Sequence, residues 1–311
     1  MLAALLALAA AVSYGVSDYT AGLATRRASV VRVTLATEVT HTALLMAVVP
    51  FVSRHAPSLP SLAWGAAAGI SGLAGAMALY LGFRHAAFSV ASPVSAVGSA
   101  TFAVLAGLLL GERPGALSLA GVALALPAIA GVSARTGGAG PDLAAESGAG
   151  GAESAVDGTH DPAGPPVRRA RGHAAGVGWG LLSGAAFGLY FISLNRAGSS
   201  TDAWPLAVAG GTALVAAGCL AAVTRDLRLP PPRTRWLSAV TGLTAAVGTF
   251  TFFLATHRGL LAVTAIITSL YPAGTILLAR VLSGERLTVI RIAGLGLAAA
   301  SVALIAAGGA G

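Results

Sequence analysis

Asp18, Glu38 and His41 are the side chains of this sequence best suited to chemistry. Each falls inside a stretch of apolar residues. An ionisable group costs roughly 2.5–3.5 kcal/mol at the middle of a membrane helix, so it usually faces protein or water. Glu38 and His41 are three apart, which sets them on one helical face. Asp18 comes late in its apolar run and Glu38 early in the next, so an antiparallel pair would hold them at one depth. A carboxylate–imidazole set of this kind binds a cation or an amine, or passes a proton as its surroundings change. The plainer reading is that Asp18 and Glu38 anchor helix ends at opposite membrane faces.

Further polar points lie in the apolar runs. Tyr14 and Tyr190 fall near matching helix levels, with Ser17 and Asn195 nearby, and Tyr80 stands alone. Ser92, Ser95 and Ser99 share one face by their spacing, and Thr264, Thr268 and Tyr271 share another. Such faces suit the wall of a central cavity with a few polar groups on an apolar surface. A lone Ser or Thr can instead bond a carbonyl of its own helix.

The elements that must position these groups are membrane helices. Of 311 residues, 56% are apolar and 10% charged, outside the balance of a soluble chain. Ten spans are expected, near 2–22, 32–52, 63–82, 88–110, 116–134, 174–194, 204–223, 236–256, 260–282 and 288–308. Most have the ~20 residues needed to cross a ~30 Å hydrocarbon core. Cys219 stands alone in an apolar run, with packing as its expected role. The net charge of +8 comes without a basic stripe or aromatic platform, which argues against nucleic-acid binding.

The spans repeat. Gly82–Val132 is echoed by Ala255–Ile305 at an offset of 173 residues, and the same offset carries Gly15 to Gly188, Gly69 to Gly242 and Gly121 to Gly294. It also matches Leu6–Leu23 with Trp179–Arg196, so the first apolar run reads as a helix rather than a signal peptide. Residues 1–134 and 173–311 form two halves, joined by a Gly/Ala/Pro-rich segment at 135–172 that reads as a flexible tether. Five spans per half force the halves to insert in opposite senses. The fold class is therefore an all-α polytopic membrane protein of ten transmembrane helices in two inverted five-helix repeats, the build of a secondary transporter.

Charge placement tests the orientation. Fifteen Arg fall on the side of the linker and four on the other, or eleven against four without the linker's own. That bias puts the linker in the cytoplasm and both termini outside.

Small residues and prolines mark where helices touch or loosen. Gly176, Gly180, Gly184 and Gly188 line one helix face, and Gly65, Gly69 and Gly72 another, as contact surfaces. Pro93 and Pro272 each remove a backbone donor, giving either a static kink or a point where carbonyls meet a cavity. Gly111-Glu112-Arg113 and Gly284-Glu285-Arg286 sit at equivalent span ends. A structural ion pair is expected there, with the carboxylate capping the helix that follows.

With the repeat and both Gly-Glu-Arg motifs in view, the chain resembles the EamA-like branch of the drug/metabolite transporter superfamily. The motifs are Leu110-Gly111-Glu112-Arg113 followed by Gly121, and Ser283-Gly284-Glu285-Arg286 followed by Gly294; Pro272 also fits. The resemblance implies alternating access around a central cavity, in a multi-pass protein of the cytoplasmic membrane. It implies a small-molecule substrate such as an amino acid, drug or related metabolite, often moved with a proton, and cytoplasmic termini. This last implication opposes the Arg bias, and the orientation stays open. Glu38 stands where the family commonly carries a basic residue, and the linker is longer than usual.

No nucleophile, metal cluster or phosphate cradle accompanies these motifs, so an enzyme is not expected, nor a metal or cofactor. An open channel would want a more continuous polar stripe. Efflux of an amino acid or small organic compound is the leading expectation, with uptake of a similar metabolite next. Monomer and homodimer remain open.

Overall fold

The structure, a computed structural model, describes residues 1–53, 57–85, 88–132, 166–199, 202–275, 278 and 289–308. Among them the regular structure is helical: α1 (Leu2–Thr25), α2 (Val30–Val52), α3 (Leu59–His85), α4 (Phe88–Leu109), α5 (Ala116–Val132), α6 (Pro166–Arg196), α7 (Trp204–Val223), α8 (Pro232–Thr256), α9 (Leu261–Thr268) and α10 (Val289–Gly308). Six of these, α1, α2, α3, α6, α7 and α8, are long and apolar enough to cross a bilayer. Shorter apolar helical stretches occur at Val94–Leu109, Ala116–Ile129, Leu261–Thr275 and Ile292–Leu304.

Two elements bear on the expected boundaries. The tether was expected to run to 172, but α6 already begins at Pro166, so Arg168-Arg169-Ala170-Arg171 is helical. Proline suits the first helical turn and arginine is a good helix former, which lets the helix extend beyond its apolar stretch. Residues 133–165 lie outside the described residues. Span 9 was expected near 260–282 with Pro272 as a kink or loosened point, and α9 ends at Thr268. Pro272 has no N–H to offer the Thr268 carbonyl, so the chain turns through Ser269 and Leu270 before helix resumes at 271–275. Pro93, in contrast, sits near the start of α4, which continues without a break.

Helix packing exchanges the two halves. α1 packs on α8 as α6 packs on α3, and α2 packs on α8 as α7 packs on α3. α2 also meets α7, α4 meets α9, and α5 meets α10. Close approaches repeat at the 173-residue offset. A Cβ built on Gly75 would lie 2.9 Å from the Phe187 ring, and one on Gly248 would lie 2.9 Å from the Tyr14 ring. Glycine is needed at both because an aromatic ring from the other half already fills that space. On α6, Gly180, Gly184 and Gly188 all face α4.

Polar bonds between helices add register. Thr20 and Thr241 hydroxyls meet at 2.7 Å across α1 and α8, and Thr42 donates to the Gly210 carbonyl at 2.8 Å across α2 and α7. Leu5, Leu109, Leu181, Val215 and Val223 point outward as an apolar rim. Cys219 is exposed on α7 rather than packed inside.

Candidate functional site

Helices from both halves leave a cavity near the centre of the bundle. α1 contributes Tyr14, Ser17 and Asp18; α2 contributes Thr37, Glu38 and His41. α3 brings Tyr80, α6 brings Phe187 and Tyr190, and α8 brings Thr249, while small residues of α3, α7 and α8 complete the wall. The cavity has a volume of about 80 Å³. One water needs roughly 10–15 Å³ on that measure, so the space suits several waters or a small organic group.

One side of the cavity is a continuous hydrogen-bonded chain. Glu38 Oε2 lies 3.2 Å from His41 Nδ1, and His41 Nε2 lies 3.3 Å from the Thr249 hydroxyl. Thr249 also meets the Tyr190 hydroxyl at 2.7 Å and the Tyr14 hydroxyl at 3.3 Å, and the two tyrosines meet at 3.2 Å. The donor directions follow from chemistry. An ionised Glu38 only accepts, so Nδ1 carries a proton. In neutral His41, Nε2 then accepts from Thr249; in the imidazolium it donates, and the Thr249 proton must turn toward a tyrosine. Protonation of His41 at Nε2 would thus reorient the hydrogen bonds that Thr249 makes with Tyr190 and Tyr14.

The other side is unsatisfied. Asp18 is 8% exposed, and its Oδ2 has no hydrogen-bond partner among the described residues. Thr37, 4% exposed, likewise has an unpaired hydroxyl. Ser17, on the same wall, donates to the Thr241 carbonyl at 3.2 Å. Tyr14, Tyr80 and Tyr271 lie within electrostatic reach of Asp18, and Tyr80 and Tyr190 within reach of Glu38.

Seven residues singled out from sequence therefore meet here: Tyr14, Ser17, Asp18, Glu38, His41, Tyr80 and Tyr190. The others do not line this cavity. Ser95 bonds Ser183 at 2.8 Å, and Ser99 faces Ser269 at 3.3 Å. Thr264 donates to its own helix at Leu260, and Thr268 donates to the Ala7 carbonyl at 3.4 Å. Tyr271 donates to the Ser92 carbonyl at 3.3 Å. Their shared faces are helix contacts. Thr249 was missed, since threonines are common in these spans and its counterpart at the repeat offset is Ala76.

The first Gly-Glu-Arg motif caps a different helix from the one expected. Gly111 has φ +90°, and the N–H groups of Gly111 and Glu112 return to Leu108 and Gly107. This is a Schellman ending, which requires a left-handed residue. It directs Glu112 away from α5 and onto the start of α9, where it accepts from Leu261 N at 2.6 Å and Ala262 N at 2.9 Å. Arg113 is exposed and makes no ion pair among the described residues. The second motif, Gly284, Glu285 and Arg286, lies outside them.

A second such ending closes α7. Arg225 adopts φ +54°, with Arg225 N bonded to Ala222 and Asp226 N to Ala221. Asp226 then bonds Ser29 and Arg32 at the start of α2. The Ser29 hydroxyl, followed by the Arg32 and Arg228 charges, holds the Asp226 carboxyl below its ordinary range. Asp226 precedes the start of α8 in the chain, and Leu261, which Glu112 caps, follows its end; α8 itself is about 37 Å long at 1.5 Å per residue. No group of three His, Cys, Asp or Glu side chains among the described residues is placed to hold a metal ion.

Comparison with known proteins agrees with this architecture. A solved crystal structure superposes with a TM-score of 0.67 at 18% identity, covering 97% of this chain and 95% of that one. At that identity the likeness shows the fold alone. No curated protein matches in sequence. The model of the EamA-like transporter family matches residues 1–134 and again 174–307. Members of that family are membrane transporters of small substrates. With most of its length matched in two consecutive copies, this chain belongs to the EamA-like transporter family.

Proposed function

We propose that the protein is a secondary transporter of the cytoplasmic membrane that carries a small organic solute by alternating access between two inverted five-helix repeats. The carrying observation is the cavity itself. It is lined by helices of both halves, and its polar chain crosses from α2 to α8, so any movement of one half against the other changes it. The exchange of helix pairings between the halves supports the inverted repeat, because a two-fold relation in the membrane plane generates such exchanged pairs. Ten spans follow in this reading if the four shorter apolar stretches also cross the membrane.

The Glu38–His41 pair is the proton site in this reading, and outward movement of the solute is driven by proton entry. Solute and proton meet in one cavity, which allows each to influence the other's occupancy. The acidic clasps at Glu112 and Asp226 hold opposite ends of the bundle and are suited to breaking in turn.

The test is flux in proteoliposomes with and without an imposed proton gradient, using pooled amino acids and small amines. Saturable flux that follows the gradient is expected. Conductance that neither saturates nor depends on substrate would overturn the carrier reading.

A further inference from the structure

The transport reading leaves the substrate class open, and the charge inventory of the cavity narrows it. Among the described residues the lining holds two carboxylates, Asp18 and Glu38, and no Arg. His41 is the one basic side chain among the described lining residues, and it already faces Glu38 on one ring nitrogen and Thr249 on the other. A substrate carboxylate entering this space would find no free cation and would lie beside Asp18. A substrate ammonium would find Asp18 Oδ2, buried and unpaired, together with the unpaired Thr37 hydroxyl.

The walls suit the same ligand. Tyr14, Tyr80, Phe187 and Tyr190 present aromatic rings from three helices. Aromatic faces attract cations and cover alkyl groups without demanding further hydrogen bonds. The ionisable groups around Asp18 are Tyr14 on its own helix, Glu38 and His41 on α2, Tyr80 on α3, Tyr190 on α6 and Tyr271 beyond α9. None of them carries a positive charge except a protonated His41.

We propose that the cavity binds a small protonated amine, with Asp18 as its counter-ion and Thr37 as a second hydrogen-bonding group, and that zwitterionic amino acids and anions are rejected. The site is separate from the Glu38–His41–Thr249 chain, so amine and proton occupy neighbouring positions. This inference rests on the transport reading and names its substrate class.

The experiment uses the full chain in detergent micelles, with thermal stabilisation as the measure of binding. The probes are ethylammonium and propylammonium, with alanine as zwitterion, acetate as anion and propanol as neutral control. The amines are expected to stabilise the wild type and the other probes not to. Asp18→Asn should weaken amine binding about tenfold or more, as expected for loss of a charged hydrogen-bond partner. Asp18→Glu should retain much of the affinity. Thr37→Val should weaken the amines several-fold, which provides a second variant should Asp18→Asn fail to fold. Equal amine binding by Asp18→Asn, preference for alanine or acetate, or no amine binding by folded wild type would each overturn the proposal. Gradient-driven flux of alanine without amine flux would overturn it while leaving the carrier reading intact. Amine binding without flux of any probe would instead overturn the carrier reading.

Discussion

His41 Nε2 on α2 lies 3.3 Å from the Thr249 hydroxyl on α8, so one hydrogen bond joins the Glu38–His41 pair to Thr249 and through it to Tyr190 and Tyr14. Thr249 has one proton to donate and also meets Tyr190 and Tyr14. It cannot donate to all three neighbours at once, and the charge on His41 decides which it chooses.

Replacing Thr249 with Val keeps the shape and removes that choice. Tyr14, Tyr190 and His41 lose their common partner, at a cost of about 1–3 kcal/mol for a buried polar group left unpaired. Flux is expected to fall roughly tenfold and to lose most of its pH dependence. Membrane abundance should stay unchanged. Proteoliposome flux across a pH series checks this.

Glu38→Gln tests the other end of the chain. The amide still reaches His41 but no longer opposes an imidazolium with negative charge. Transport should fall, or its pH profile should shift, over about pH 5.5–8.5, while insertion is retained. An unchanged profile would remove Glu38 from the mechanism.

Glu112→Ala leaves the first N–H groups of α9 without their acceptor. A lost cap of this kind costs about 1–2 kcal/mol, so thermal unfolding in detergent should occur at a lower temperature. Glu112→Gln, which keeps one acceptor oxygen, should fall between wild type and Ala.

Asp226 gives an acid-sensitive clasp. Its folded carboxyl titrates below the ordinary value of 3.8, so the stabilisation is complete above that value. It is lost as pH falls through the folded value. Unfolding temperature should drop over that acid window, and Asp226→Asn should remove this part of the drop. Thermal scans of both proteins at a series of pH values measure it.

Much of this site can be read from residue spacing, and the rest depends on contacts that spacing does not contain. Glu38 and His41 share a helical face by their i,i+3 relation, and the 173-residue repeat sets Tyr190 near the level of Tyr14. Thr249 lacks such a signal: its counterpart is Ala76, and its role arises only where α8 meets α2 and α6. Ser95 and Ser99 do share a face, but spacing does not say which neighbour that face meets. Glu112 was readable as a cap, yet the identity of the capped helix depends on the left-handed turn at Gly111 and on the packing of α4 against α9.

Access to the cavity from the two sides of the membrane tests the central claim most directly. Ala245 lines the cavity, and Cys219 is the one cysteine of the chain. Ala245→Cys in a Cys219→Ser background would be exposed to a membrane-impermeant thiol reagent from each side of oriented vesicles. Alternating access requires labelling from both sides, and a cross-link holding Leu261 to Glu112 through introduced cysteines should stop labelling from that side alone. Labelling from one side only, or from neither, would contradict the account.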